Sequence, residues 1–364
     1  MRILFLSAAC SSHTVKWVNT LAQRGHQVLL ATQVDHRARA DAVSPLVRVE
    51  YLMRSGTAGY YFNAAQLREL AAATQPQVVS AHYASGYGTL ARRAKLYPVL
   101  LSVWGSDIFD FPTKSGLHRR LTEKNLSHAV AIASTSRVMA EETRHYLKAE
   151  TPIFITPFGI DIKLFAPQVR KNDGTFVVGV MKRLEPECGV EVLIQAFKLL
   201  RSRVRLENPG KRVLLRIYGQ GSEYAPLLGL ARHILVAEDT EFFGQIANSD
   251  MPNALAQMDV VCLPSLRESF GVAAVEAMAS ARALVTSDAA GFLETVEDSV
   301  TGIIVRDMDE KKLADALYAL YKDPLLCRAM GNEGRKRAER LYSMERCAAE
   351  MERALEFAAR SKKT

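Results

Sequence analysis

The stretch RESFGVAAVEAM, residues 267–278, carries two glutamates eight positions apart, Glu268 and Glu276. Between them lie Ser269, Phe270, Gly271, Val272 and more small apolar residues. It follows MDVVCLP, a short apolar run closed by proline, which reads as a buried strand. GVAAVEAMASA then reads as a helix and RALVTSD as the next strand. Strand, loop, helix and strand in succession form the repeating unit of a parallel sheet covered on both faces.

The same alternation extends outward in both directions. Upstream, TFVVGVM, RVLLRIYG and TEFFG read as strands, with helices GVEVLIQAFKLLRSR and APLLGLARHI between them. An earlier series begins with RILFLSA, the amphipathic helix HTVKWVNTLAQRG and HQVLLAT. It continues through QVVSAH, PVLLSVW, HAVAIAS and PIFITP. Two such series imply an α/β chain of two Rossmann-like domains, jointed near TPFGIDIKLFAPQ, which has two prolines, a glycine and little periodicity. The expected boundaries are 1–160, 161–340 and a charged C-terminal helix, 341–364, packing back on the N-terminal domain. A length of 364 residues fits two domains.

Composition excludes several classes. Apolar content of 48% and charged content of 24% are those of an ordinary globular protein, and no apolar run approaches the roughly 18 residues of a membrane span. MRILFLSAAC carries a single early cation and breaks into SSHTVKW, so it reads as a first buried strand and not a signal peptide. Five cysteines without C-x-x-C spacing argue for reduced thiols in a cytosol and against a zinc site. Residues 1–150 hold 18 Lys and Arg against 10 Asp and Glu, which accounts for the whole formal charge of +8. Such a field favours an anionic partner, such as an acidic membrane surface, or is a solvated basic surface. The basic residues are not interleaved with aromatics, so nucleic acid is a poor partner.

In open parallel sheets, ligands sit at the carboxyl ends of strands. Two facing sheets would set those ends around a central cleft, which directs attention to the loops after strands. Glu268 lies in such a loop just before a helix N-terminus, where a carboxylate can accept hydrogen bonds from sugar hydroxyls. Glu276 lies about one and a half turns into the helix, among small apolar residues. Burying an acid there is costly unless it is paired, and two ribose hydroxyls would pair it. The plainer alternative makes Glu268 a helix-capping partner and Glu276 a surface residue. In GQGSE, Gly219 and Gly221 either admit backbone N–H groups to a phosphate or form a tight turn. In MKRLEPECG, Lys182 and Arg183 either bind phosphate oxygens or are surface charges. His82 ends a strand in SAHYASGYG, as a structural cap or as a substrate contact.

At this point the chain resembles a family 4 glycosyltransferase of the GT-B fold, a retaining enzyme of bacterial glycan biosynthesis. The E-x7-E motif of such enzymes is Glu268 to Glu276 here, inside FFGQIANSDMPNALAQMDVVCLPSLRESFGVAAVEAMASARALVTSDAAGFLETVEDSVTGIIV. PFGIDIKLFAP resembles the family's interdomain segment and RLEPECGVEVLIQAF its phosphate loop. The resemblance spans nearly the whole chain and is specific from about residue 155 to 306. It implies a nucleotide-diphosphate sugar, UDP-linked by preference, as donor. Glu276 would hold its ribose, Glu268 would orient its sugar, and the backbone from Ser269 through Phe270, Gly271 and Val272 would meet the sugar and diphosphate. Arg183 would stabilise charge on the diphosphate. Phe243 to Ile246 would lie near the base. It further implies no metal, a lipid-linked or cell-surface glycan acceptor, and peripheral docking on an anionic inner membrane face through the basic helix SGLHRRLTEKN.

Three departures from the family pattern stand out. Lys182 and Cys188 occupy the places of the phosphate loop's usual glycine and lysine, so Lys182 would supply the missing charge. The N-terminal loop AACSSHTVKW is not glycine-rich, which leaves Ser11, Ser12 and His13 at the expected donor site. Trp104-Gly105 replaces a His-Gly pair, and Asp107 remains to bind donor or acceptor. A sugar-nucleotide epimerase of the same fold and a degenerate, non-catalytic binding module are the competing readings.

Overall fold

The computed structural model describes residues 1–170 and 173–361. Two parallel sheets organise it. The first contains β1 (Arg2–Leu6), β2 (Gln27–Gln33), β3 (Val47–Leu52), β4 (Val78–His82), β5 (Val99–Val103), β6 (Ala131–Ser134) and β7 (Ile153–Ile155). Their spatial order is β3-β2-β1-β4-β5-β6-β7, with every pair parallel. The second contains β8 (Thr175–Met181), β9 (Arg212–Tyr218), β10 (Thr240–Gly244), β11 (Val260–Leu263), β12 (Ala283–Ser287) and β13 (Gly302–Val305), ordered β10-β9-β8-β11-β12-β13. Both are α/β sheets of the Rossmann kind. Continuous Val, Leu and Ile runs form the strands because both faces of a parallel sheet are covered by helices. β3, β7, β10 and β13 lie at sheet edges.

Each sheet reverses its winding once. The chain moves outward from β1 to β3 and returns to place β4 beside β1; it repeats this with β8, β10 and β11. At such a switch point the loops leaving two neighbouring strands part and open a crevice at the carboxyl edge. In the second sheet those loops begin at Lys182 and Pro264.

The chain divides into two compact units. One comprises Met1–Gly159 rejoined by the residues from Met344 onward, and the other Ile160–Ser343. The charged C-terminal stretch holds two helices, Pro324–Tyr342 and Met344–Arg360. Ser343 breaks them with an extended backbone and bridges Ile160, whose N–H donates to the Tyr342 carbonyl at 2.8 Å. The final helix belongs to the first unit. Its Cys347, Ala348, Met351, Ala354, Leu355 and Ala358 are buried in one cluster with Ile3, Phe5, Trp17, Val78 and Leu100. At its polar margin Glu352 accepts from both Arg24 nitrogens (2.8 and 2.7 Å) and bonds the His26 ring at 2.9 Å. Among the described residues no helix is long and apolar enough to cross a membrane.

Candidate active site

The second unit builds a site at its switch point. After β11 the chain turns through Pro264–Ser265 and runs to Gly271, which takes φ +89° and caps the helix Val272–Ala279. A glycine suits that left-handed position, and a Cβ there would also meet the Phe292 ring at 2.9 Å. The small residues that follow let the helix lie close to its neighbours. Glu276 is therefore carried inward and retains 7% of its exposure, which rules out the plainer reading of it as a surface residue. The first turn of the helix leaves N–H groups without helical partners, directed back toward residues 269–272.

The loop of Glu268, Ser269 and Phe270 is fixed from two sides. Phe270 is 2% exposed and packs edge-on against Tyr342 at 5.5 Å. Gly291 lies against the loop backbone and donates its N–H to the Glu268 carbonyl at 2.9 Å. A Cβ on Gly291 would stand 2.6 Å from the Phe270 nitrogen and 2.8 Å from the Glu268 oxygen. Gly291 is thus a supporting residue that the sequence reading passed over; its signal was a glycine between two apolar helix positions.

The loop after β8 meets this one. Lys182 reaches across and its Nζ donates to Glu268 Oε2 at 2.5 Å, with both side chains largely buried. Arg183 points the other way: its side chain is 77% exposed and approaches Glu187 at 3.7 Å. Cys188 is buried in the core of the unit, and burial raises its thiol pKa. It fills space where a lysine would have carried charge. The Glu187 carbonyl accepts from Leu266 N–H at 2.8 Å, and Gly189 lies against the Pro264 carbonyl, so the two loops are backbone neighbours.

The glycines of GQG serve that packing. The Gly219 N–H donates to the Gly244 carbonyl at 2.8 Å and is not available to a phosphate, which corrects the cradle expected at Gly219. A Cβ on Gly219 would meet the Lys182 carbonyl at 1.8 Å, and one on Gly221 the Leu184 carbonyl at 2.2 Å. Both glycines let the turn approach the phosphate-loop backbone, where Leu184 N–H donates to the Gln220 carbonyl at 3.0 Å. Phe243 is exposed and stacks on Tyr218 at 4.5 Å and 5°, offering a flat face at the end of β10, with Ile246 half-buried beyond it.

In the first unit the structure corrects two expectations. Asp107 is fully buried and accepts from the N–H groups of Ala84 (2.7 Å), Trp104 (3.0 Å) and Gly105 (2.9 Å). Burial raises its pKa, and those bonds oppose the rise. Its carboxylate ties together the loops after β4 and β5 and is not presented to a donor or an acceptor. His82 is likewise a core residue and not a substrate contact. It is 0% exposed, stacks on Phe5 at 4.1 Å and bonds Ser80 Oγ at 2.9 Å. Burial lowers its pKa to about 3, so the imidazole is neutral. His13 stacks on Phe158 at 4.0 Å and meets Trp104 edge-on at 5.9 Å. Burial, with the Lys16 charge second, lowers it to about 4. The residue after His82 was missed: Tyr83 takes φ +78°, strained for an aromatic side chain, and opens a π-helical turn to Tyr87.

Comparison with known proteins agrees with this geometry. The family model described as "Glycosyl transferases group 1" matches residues 161–337, and "Glycosyl transferase 4-like" matches residues 2–136. A D-inositol 3-phosphate glycosyltransferase of Pseudarthrobacter chlorophenolicus is 32% identical over 219 residues, 57% of this chain and 51% of that protein. The chain thus spans about half the length of that curated relative. The structure of sucrose-phosphate synthase from Thermosynechococcus elongatus superposes with a TM-score of 0.81 at 19% identity, covering 97% of this chain and 98% of that one. Anabaena HepE in complex with UDP-glucose gives 0.79 at 18% identity, covering 98% of this chain and 100% of that one. With both sheets matched and the two-glutamate loop at the switch point of the second, the chain belongs to the family 4 glycosyltransferases of the GT-B fold.

Proposed function

We propose that this chain is a retaining glycosyltransferase that moves a sugar from a nucleotide-diphosphate donor, UDP-linked by preference, to a lipid-linked or cell-surface glycan. The observation that carries this reading is the pairing of a buried Glu276 with a rigidly held Glu268 at the carboxyl edge of the second sheet. A buried carboxylate gains most from a ligand that donates two hydrogen bonds at once, and a ribose diol does so. In this reading Glu268 accepts from hydroxyls of the donor sugar. The N–H groups at Gly271–Val272 face the diphosphate, and Lys182 adds positive charge as the leaving group gains negative charge; Arg183, turned to solvent, does not. The Phe243 face receives the base. The leaving diphosphate takes the acceptor's proton. HepE, described with UDP-glucose, supports a uridine donor.

Thermal melting with UDP, GDP and ADP tests the reading. A ligand at a hundred times its Kd adds about 2.7 kcal/mol, so one of the three raises the melting temperature of the wild type and not that of Glu276→Ala. A shift of equal size in both proteins removes the ribose role. We also assign the helix Gly116–Leu126, with Leu117, Arg119, Arg120 and Lys124 exposed, to contact with anionic lipid near the acceptor. Sedimentation with phosphatidylglycerol vesicles that is unchanged in an Arg119→Glu/Arg120→Glu variant removes that assignment.

A further inference from the structure

The inward charge of the phosphate loop is already engaged. Arg183 is turned toward solvent and Cys188 is buried and neutral, which leaves Lys182 as the cation directed into the site. Its ammonium is held by Glu268 at 2.5 Å, with 16% and 15% of the two side chains exposed. A carboxylate bonded to a lysine is poorly placed to accept from sugar hydroxyls, and a lysine bonded to a carboxylate is poorly placed to meet a phosphate. A bare Glu268 beside an incoming diphosphate would add repulsion. Lysine is a compact charge on a flexible stem and can change partner without moving its backbone. The Lys182 backbone is itself fixed, since its N–H donates to the Tyr218 carbonyl at 3.1 Å and Gly219 packs on its own carbonyl.

We propose that Lys182 is a discriminating residue that is traded from Glu268 to the donor's diphosphate, so that diphosphate binding itself frees Glu268 for the sugar. The proposal rests on the donor reading above. It makes the glutamate a competitor of the ligand for as long as no sugar is present. Three consequences follow from that competition. A nucleoside diphosphate must break the Lys182–Glu268 pair to bind. Removing the charge of Glu268 then strengthens its binding. The gain shrinks once Lys182 is gone, because only the relief of repulsion remains.

The experiment is calorimetric titration of UDP, with ADP and GDP in parallel, into wild type, Glu268→Gln, Lys182→Gln and the double variant. Both substitutions are close in size to the native residues. Glu268→Gln is expected to bind the active nucleoside diphosphate about 3–10-fold more tightly than wild type, the range of a partly buried ion pair. Lys182→Gln is expected to bind it more weakly, and Glu268→Gln to bring a smaller gain in the Lys182→Gln background than in wild type. Wild type that binds one nucleotide, with Glu268→Gln weaker or unchanged, overturns the exchange and leaves the donor reading standing. A gain as large without Lys182 as with it overturns the role of the lysine. Wild type that binds none of the three overturns the exchange and the donor reading together. Urea unfolding of the four ligand-free proteins gives a second check, because additive effects would show that the pair is not formed in solution and would also overturn the proposal.

Discussion

Substituting Gly291 by alanine tests whether the Glu268 loop owes its position to that glycine. The added Cβ would lie 2.6 Å from the Phe270 nitrogen, 2.7 Å from the Ser269 carbonyl carbon and 2.8 Å from the Glu268 oxygen, where ordinary contact begins at 3.4 Å. All three neighbours are backbone, so no rotamer change relieves the overlap, and the loop must withdraw by about 0.8 Å. Withdrawal opposes the packing of Phe270 on Tyr342 and the Gly291–Glu268 hydrogen bond. Overpacking of this kind costs about 1–3 kcal/mol. For a unit of this size that corresponds to a fall in Tm of about 2–12 °C. A displacement near 1 Å at a positioned group lowers turnover by up to about 100-fold. Differential scanning calorimetry reads the first effect and donor hydrolysis or transfer the second. Gly229→Ala is the control: it lies in the helix Tyr224–His233 with nothing within 4 Å of an added Cβ. It should leave activity alone and stabilise by about 0.5–1 kcal/mol. A Gly291→Ala protein that melts and turns over like wild type would refute the argument.

Other outcomes follow from the packing and the charges. Met351→Ala removes a core side chain of the final helix and should cost about 2–5 kcal/mol in urea unfolding. His82 and His13 titrate near 6.5 in the unfolded chain and only at about 3 and about 4 when folded. Below pH 6.5 the unfolded state therefore binds protons that the folded state does not, and stability falls on acidification by up to about 1.4 kcal/mol per pH unit for each histidine. His82→Phe should flatten the urea midpoint between pH 7 and pH 5; an unaltered slope counts against a neutral buried imidazole. Arg24 bonding, with His26 also contributing, holds the Glu352 carboxyl below its ordinary pKa. Its contribution is complete above the ordinary glutamate range and is lost as pH falls through the lowered value. Glu352→Gln should cost about 0.5–1 kcal/mol at pH 7 after allowance for partial exposure, and progressively less as pH falls through the lowered value.

The strands were legible where burial on both faces demands an unbroken apolar run, as in VVCL of β11 or VLLSV of β5. β3 was passed over although VRVEYL alternates apolar and polar residues, the pattern of an edge strand with one covered face, because the reading looked for unbroken apolar runs. What holds the break at Ser343 was not legible, because its bridge partner is Ile160, 183 positions earlier. In the site, the spacing of Glu268 and Glu276 marked a loop and a helix turn, since that relation is local. The Lys182–Glu268 pair was not legible, because no periodicity links residues 86 apart. Asp107 and His82 illustrate a different limit. A polar residue at a strand end suits solvent, a ligand or a ring of backbone donors equally well, and only folding brings the N–H groups of Ala84, Trp104 and Gly105 to one carboxylate.

The membership of the helix Met344–Arg360 in the first unit bears on how the chain is made. Synthesis delivers β1 through β7 early, yet the face formed by Ile3, Phe5, Trp17, Val78 and Leu100 lacks its cover until the final helix has left the ribosome. The unit encoded by Ile160–Ser343 has no such debt to later sequence and can complete its core first. Order of emergence and order of completion are therefore reversed. During that interval an apolar surface of the N-terminal unit stands open to chaperones, to proteases and to other nascent chains.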